Sequence, residues 1–243
     1  MHIFIPTVLT LLSFPYLIAA CPGHLAARQA ASSATSPFLL GDDPPAAPAT
    51  LGYTINHFAL NVNDLNSMVT FYRDVLGLRH IFTYTASLTY TVAYLGYSHG
   101  GKNGTGYQTG AELYAEMNNA EGLLELLYHN ATNSVNGSSA LPFLPSTKIA
   151  NTFSHIGLVV PDIEAAQRRM ESQGVSIVKL TGEPIAWGSE GAKAFGLDEA
   201  HWAREAARAA LQGITEIGFD SYMLIKDPDG NLVEVQQQVP GGA

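Results

Sequence analysis

A short sequence pattern occurs twice in the chain, as HFALNVND at residues 57–64 and as HIGLVVPD at 155–162. In both copies a histidine opens an apolar, alternating run that is typical of a β-strand. An aspartate follows seven residues later and is a good cap for a helix. Such a repeat predicts two similar modules, and it constrains the fold more tightly than any feature of the composition.

The rest of each module follows the same order. Gly77 and Gly174 end the two helices, and alternating β-branched sequence comes next, at 81–94 and 175–180. Each copy closes on a short apolar strand with a glutamate inside it, Glu125 in the first and Glu234 in the second. The sequence therefore predicts an α+β fold in which a βα unit is followed by several antiparallel strands, twice.

The two modules are predicted to span residues 53–138 and 151–238, each with one insertion. Residues 99–110 are rich in Gly, Asn and Ser and indicate a loop. Residues 198–211 (DEAHWAREAARAAL) indicate an added helix that Asp198 can cap. Such an insertion could serve as a lid, although the sequence does not place it over a site.

Composition limits the possible partners. Hydrophobic residues make up 47% of the 243, which is ample for a globular core, and the net charge is −9. A chain this acidic has no electrostatic reason to bind nucleic acid or an anionic membrane, so we expect a small-molecule partner. Cys21 is the one cysteine, which excludes an internal disulfide.

The first 20 residues are apolar and end in Ala19-Ala20, which predicts a signal peptide cleaved before Cys21. A membrane anchor and a bacterial lipoprotein signal are the alternatives. Three glycosylation sequons, at Asn103, Asn130 and Asn136, favour a eukaryotic secretory route and hence a secreted glycoprotein with no membrane attachment after cleavage. Residues 21–52 are rich in Ala, Pro and Ser and predict a disordered linker.

The repeat also pairs chemically useful residues. A carboxylate inside an apolar strand needs a partner, because burying an unpaired charge costs several kcal/mol. Two imidazoles and two carboxylates suit a divalent Ni, Zn, Co, Fe or Mn ion. Taken singly, each histidine could be a core residue and each glutamate could pair with Lys or Arg. Their repetition in register favours one metal site with the ligands His57, Glu125, His155 and Glu234.

The paired HxxLxVxD strands and the DPDGxxxE ending at 227–234 resemble the vicinal oxygen chelate (glyoxalase/bleomycin resistance/dioxygenase) superfamily, over about residues 53–238. The four-ligand set is most similar to that of glyoxalase I, the lactoylglutathione lyase. The resemblance implies two βαβββ modules that form a curved mixed sheet around the metal. It also implies either a homodimer with shared sites or a site closed within one chain.

By the same resemblance, the metal would chelate two oxygens of a hemithioacetal or a related α-hydroxycarbonyl, and the reaction would pass through an enediolate. Glu234 is the first candidate for the catalytic base and Glu125 the second. This implies a metal-dependent carbon–sulfur lyase. A non-haem Fe(II) dioxygenase and a secreted small-molecule binding protein of the same fold are the alternatives.

The resemblance fails at the positions that hold glutathione in glyoxalase I. Asn61, His129 and Asn151 stand where the family has Arg, Asn and Arg, and residues 213–219 carry an acid where the family has a lysine-bearing loop. A binding site without cations loses charge-assisted hydrogen bonds to the carboxylates of glutathione. An apolar, aromatic pocket would instead indicate another ligand, with Trp187, Phe219 and Tyr222 as candidate lining residues.

Overall fold

The structure is a computed structural model that describes residues 41, 44–99, 106–129 and 142–238. The predicted signal peptide at 1–20, most of the predicted linker and the three predicted glycosylation sites lie outside these residues. Within the described ranges, no helix has the length and apolar character needed to cross a membrane. Residues 42–238 form one compact unit.

The described part of the first module contains four strands and two α-helices. Its sheet has the order β1-β4-β3-β2, with β1 parallel to β4 and the other neighbours antiparallel. Its elements are β1 (His57–Val62), α1 (Leu65–Thr70), β2 (Arg79–Ser87), β3 (Tyr90–Gly96), α2 (Gly110–Glu116) and β4 (Leu123–His129).

The second module repeats this topology, with the sheet order β5-β8-β7-β6 and the same parallel outer pair. The predicted α+β fold of two repeated modules is therefore confirmed. Its elements are β5 (His155–Val160), α3 (Ile163–Ser172), β6 (Ile177–Lys179), α4 (Glu190–Ala194), α5 (Arg204–Glu216), β7 (Met223–Lys226) and β8 (Leu232–Gln237).

Both predicted helix caps are present. The side chain of Asp64 accepts a hydrogen bond from the backbone N–H of Ser67, and Asp162 accepts one from Ala165. The first helix changes character after Thr70, because residues Phe71–Val75 form a π-helical turn before Gly77. The apolar periodicity therefore predicted where the helical segment lies, but not its change from α-helical to π-helical hydrogen bonding.

The added helix of the second module lies later than predicted. It spans Arg204–Glu216 rather than 198–211, and its first turn is preceded by Ala203, which offers no side-chain cap. Asp198 instead caps a separate turn before the helix, where its carboxylate accepts from the backbone N–H of His201 at 3.2 Å and binds Nδ1 of the same residue at 2.6 Å. Residues 213–216, which were expected to lie in the loop before the last strands, consequently form the end of this helix.

The two modules share one hydrophobic core. On the first sheet it is formed by the face that carries Leu60, Leu95 and Leu126, and on the second by the face that carries Val233 and Val235. Helices α1 and α3 contribute to the same core. Because side chains alternate along a strand, the other face of each sheet points away from this shared core.

Polar contacts tie the modules together at the edge of this core. The buried hydroxyl of Tyr72, after α1, donates to Asp227 in the turn before β8 at 3.0 Å. Asp229 in the same turn accepts from the backbone N–H of Asn63 at 2.8 Å. The DPDG turn that the sequence indicates is therefore part of the contact between modules.

Candidate metal centre

Each module brings its histidine and its glutamate together. The Nε2 atom of His57 lies 3.3 Å from the Oε2 atom of Glu125, and Nε2 of His155 lies 3.3 Å from Oε2 of Glu234. The register explains the match, because the glutamate pairs with the residue two places after the histidine in both parallel strand pairs, Ala59 in one and Gly157 in the other. We call these the first pair and the second pair.

The residue before His57 determines which ring nitrogen carries the proton. The Nδ2 atom of Asn56 donates to the carbonyls of Met117 and Ala120, at 2.7 and 2.8 Å, which fixes the orientation of the amide. Its Oδ1 atom then faces Nδ1 of His57 at 3.0 Å and can only accept. Nδ1 of His57 is therefore the donor, and in the neutral ring Nε2 presents a lone pair to Glu125.

The second pair has a related arrangement. The hydroxyl of Ser154 lies 2.8 Å from Nδ1 of His155, so again the preceding side chain binds the ring nitrogen farther from the glutamate. Glu234 is 4% exposed, and its other oxygen accepts a hydrogen bond from the side chain of Gln236. Such partners hold the ring and the carboxylate in fixed orientations, as they do around metal sites.

The two pairs do not meet within one chain. Each lies on the sheet face opposite the shared core, and we call this the pair-bearing face of each sheet. Among the described residues, no three His, Cys, Asp or Glu side chains are grouped closely enough to hold a metal ion. The structure thus contains two separate His–Glu pairs in one chain, and the four-ligand site stays a prediction.

Aromatic rings surround the first pair. The ring of Tyr94 packs edge-on against His57, and its hydroxyl hydrogen-bonds to Glu125. Burial, together with the charge of Glu125, raises the pKa of Tyr94 to about 12, so its hydroxyl keeps its proton at neutral pH. Phe82 stacks on Tyr94 with 5.0 Å between ring centroids, and Tyr114 of α2 packs edge-on against Phe82.

Aromatic rings also line the second pair. Phe195 lies against His155 with 4.9 Å between ring centroids, Phe219 packs on Phe195, and Tyr222 packs on Phe219. Helices α4 and α5 form a hydrophobic cluster with Leu224 and Leu232 on the pair-bearing face of the second sheet. The insertion thus packs against the pair-bearing face of the second sheet.

Comparison with known proteins shows which family the chain belongs to. The profile of the Glyoxalase/Bleomycin resistance protein/Dioxygenase superfamily matches residues 54–235. The chain belongs to this superfamily. It is 26% identical over 186 residues to a lactoylglutathione lyase of Schizosaccharomyces pombe, a match that covers 74% of this chain and 57% of the relative. The chain therefore corresponds to little more than half the length of that relative.

Solved structures of similar fold include glyoxalase I enzymes. A trypanothione-dependent glyoxalase I from Leishmania major is 17% identical, with a TM-score of 0.42 and coverage of 76% of this chain and 86% of that one. Glyoxalase I from Zea mays is also 17% identical, with a TM-score of 0.42 and coverage of 76% and 45%.

The lysine side chains on the described strands of this superfamily member already have partners. Lys226, on the pair-bearing face of the second sheet, binds Glu190 at 2.5 Å, and the ammonium group of Lys179 binds the backbone carbonyls of three residues. Arg79 lies over the ring of Tyr107, but its buried Nε atom has no hydrogen-bond partner among the described residues. Asn61 lies exposed on β1, at a position where the resemblance implies a cation.

Sequence reasoning missed four residues at the pairs. Asn56 and Ser154 directly precede the paired histidines, and that repeated position was the signal that could have found them. Tyr94 and Phe195 contact His57 and His155, but no motif marks them. Tyr94 could be assigned to the face of Glu125 only once the register of β3 with β4 was known.

Proposed function

We propose that this protein is a metal-dependent lyase or isomerase of the glyoxalase I type, in which both pairs bind one divalent ion. The orientation of His57 carries the proposal. Its lone pair at Nε2 and the carboxylate of Glu125 face each other at 3.3 Å, and two such groups repel unless a cation or a proton lies between them. The second pair has the same spacing.

A second copy of the chain would complete the site. Because each described cluster holds only one histidine and one glutamate, four ligands require the first pair of one chain and the second pair of another to converge. The outer strand β5 also exposes a large apolar side chain on its pair-bearing face, Val159, which a partner would cover. We therefore propose a homodimer with two shared sites.

Once bound, a divalent ion would hold two neighbouring substrate oxygens and make the adjacent C–H bond more acidic. His57 and His155 would be ligands throughout. Glu234 is our first choice for the base that takes the proton and returns it to the neighbouring carbon, and Glu125 is the second.

The test is thioester formation from methylglyoxal and glutathione, followed with purified protein that has been reloaded separately with Ni, Co and Zn. A lyase of this type is active with at least one metal, and Glu234→Gln abolishes turnover while the metal content stays unchanged. A protein that binds one metal per site but converts no α-oxoaldehyde adduct would be a binding protein of the same fold. Secretion of this protein stays a prediction from the sequence.

A further inference from the structure

We infer that the two modules enclose a binding site for a small, uncharged, apolar molecule. A cavity of about 400 Å³ lies between them, and residues of β1 and β4 line it together with residues of β5 and β8. The cavity is contained in a single chain and needs no metal ion. The inference therefore does not depend on the proposed function.

The size of the cavity distinguishes it from an ordinary packing defect. Side chains in protein interiors are packed about as closely as molecules in organic crystals, and few voids exceed the size of one water molecule. The core beside the cavity is packed in this way, since Tyr72, Leu124 and Val233 line the cavity and are each at most 5% exposed. Pockets for small molecules enclose roughly 300–1,000 Å³, and this cavity falls within that range.

Phe58 marks the place where the cavity opens to solvent. Alternation along β1 puts Phe58 on the core side with Leu60 and Val62, which are 7% and 1% exposed, yet Phe58 is 59% exposed. Tyr97 also lines the cavity and is 38% exposed. These two aromatic side chains therefore border an entrance through which a ligand can reach the cavity.

The side chains around the cavity favour an uncharged ligand. None of the described residues that line it is Asp, Glu, Lys or Arg. His155 borders the cavity, but its Nδ1 atom contacts Ser154 and its Nε2 atom contacts Glu234. A charged ligand would lose its hydration here without gaining an ionic partner, which is unfavourable. Most of the lining is instead aromatic or aliphatic, including Phe58, Tyr97, Phe153, Leu78, Ile156 and Leu158.

The tyrosine hydroxyls of the lining are already used within the protein. Tyr72 donates to a carboxylate of the turn before β8 at 3.0 Å, and Tyr97 donates to a backbone carbonyl at 2.9 Å. Burial raises the pKa of Tyr97 to about 12, so this hydroxyl carries no charge at neutral pH. Thr152 adds a hydroxyl, but it lies at an exposed position. A ligand would therefore be held mainly by the burial of its apolar surface.

The test compares two fluorescent probes that differ by one charge. N-phenyl-1-naphthylamine is neutral, and 1-anilinonaphthalene-8-sulfonate has the same two aryl groups with an added sulfonate. Titration of each probe into the purified full chain gives its dissociation constant and the number of sites. We expect one saturable site per chain for the neutral probe, with an affinity at least about tenfold higher than that of the sulfonate.

Two results of these titrations would overturn the inference. Equal affinities, or tighter binding of the sulfonate, would show that the site does not select against charge. Absence of saturable binding of the neutral probe would show that the cavity is not open to a ligand, as when another part of the chain or a second copy fills it.

Two variants of neighbouring residues on β5 connect binding to the cavity. Leu158 is half-buried and lines the cavity, whereas Val159 is 59% exposed on the opposite face of the strand. Leu158→Trp should weaken binding of the neutral probe at least about tenfold, because the larger side chain occupies part of the cavity. Val159→Trp, with its indole outside the cavity, should change the affinity less than about twofold. Equal effects of the two substitutions would contradict the assignment of the probe to this cavity.

A second pair of variants keeps the test decisive if Leu158→Trp does not fold. Phe58→Ser, at the exposed entrance, should weaken binding of the neutral probe about threefold, because it removes an aromatic contact. Tyr53→Ser, at a tyrosine that is 79% exposed before β1, should leave the affinity unchanged. The bound probe should also raise the midpoint of thermal unfolding of the unaltered protein, and a lowered midpoint would mean that the probe prefers the unfolded chain and would overturn the inference.

Discussion

At the scale of single residues, the chemistry of the site depends on neighbours that are not themselves candidate ligands. Asn56 fixes the proton of His57 on Nδ1, because its own amide hydrogens are committed to two carbonyls. A neutral imidazole can bind a metal only through the nitrogen without a proton. Asn56 thus makes Nε2 the nitrogen available to a metal.

Replacing Asn56 tests this dependence. We expect Asn56→Leu to lower the affinity for zinc about 10- to 100-fold, because the ring of His57 loses the acceptor that orients it. Isothermal titration of metal-free protein measures the change. Asn66→Leu, at an exposed position of α1, is the control and should bind zinc as the unaltered protein does. Equal losses in the two variants would contradict a specific role for Asn56.

Lys179 shows a different consequence of burial. Its side chain is almost fully buried, with its ammonium group among the carbonyls of Leu180, Asp220 and Tyr222. Burial lowers its pKa to about 8, below the value of about 10.4 in an unfolded chain. Between these values the unfolded chain binds more protons, so this lysine makes stability rise with pH and fall as the pH drops through about 8.

The prediction concerns how steeply the free energy of unfolding changes with pH, rather than its value at one pH. From pH 7.5 to 9.5, the free energy of unfolding of the unaltered protein should gain more than that of Lys179→Met, because the variant lacks the titrating group. Urea unfolding at several pH values measures both slopes. Parallel slopes for the two proteins would refute the explanation.

At the scale of elements, the sequence predicted those parts of the fold that depend on local signals. The strands that open each module, the aspartate caps and the DPDG turn follow from alternation and turn chemistry, and the structure contains them. The register that brings each glutamate beside its histidine depends on pairing between distant strands. The predicted start of α5 was wrong because Asp198 caps a separate turn at 198–202, and the helix begins only at Arg204.

The uncapped start of α5 allows a prediction of improved stability. Ala203 has extended backbone dihedrals, with φ −63° and ψ 137°, and no side chain accepts from the first turn. Ala203→Ser should add about 1 kcal/mol to the free energy of unfolding, because a serine hydroxyl at this position can accept a free N–H. Ala209→Ser, exposed in the interior of the helix, should instead cost about 0.5 kcal/mol. Thermal and urea unfolding of both variants distinguish capping from a general effect of serine.

At the scale of the whole molecule, folding of one chain does not by itself bring the two pairs together. One core holds both modules, and the buried contact between Tyr72 and Asp227 joins them within the chain. The pairs lie outside that core, so a single chain can fold completely while the two pairs stay apart. The repeat in the sequence predicts one site with four ligands, but it does not determine whether the two pairs meet within one chain or between two.

Mixing two variants that each lack two of the four proposed ligands distinguishes a site within one chain from a site shared between two. One variant carries His57→Ala and Glu125→Gln, and the other carries His155→Ala and Glu234→Gln, so neither alone can form a four-ligand site. If sites are shared between chains, a mixed dimer contains one intact site. Random exchange makes about half of the dimers mixed, so zinc binding should return to about one quarter of a site per chain.

Sites closed within one chain would give no recovery on mixing, because every chain lacks two ligands. The measurement is zinc content after joint refolding, with each variant refolded alone as the control. Sedimentation of the mixture should also show a dimer. Recovery of zinc together with dimer formation would establish that the two pair-bearing faces meet across the interface, where the shared core of each chain leaves them free to do so.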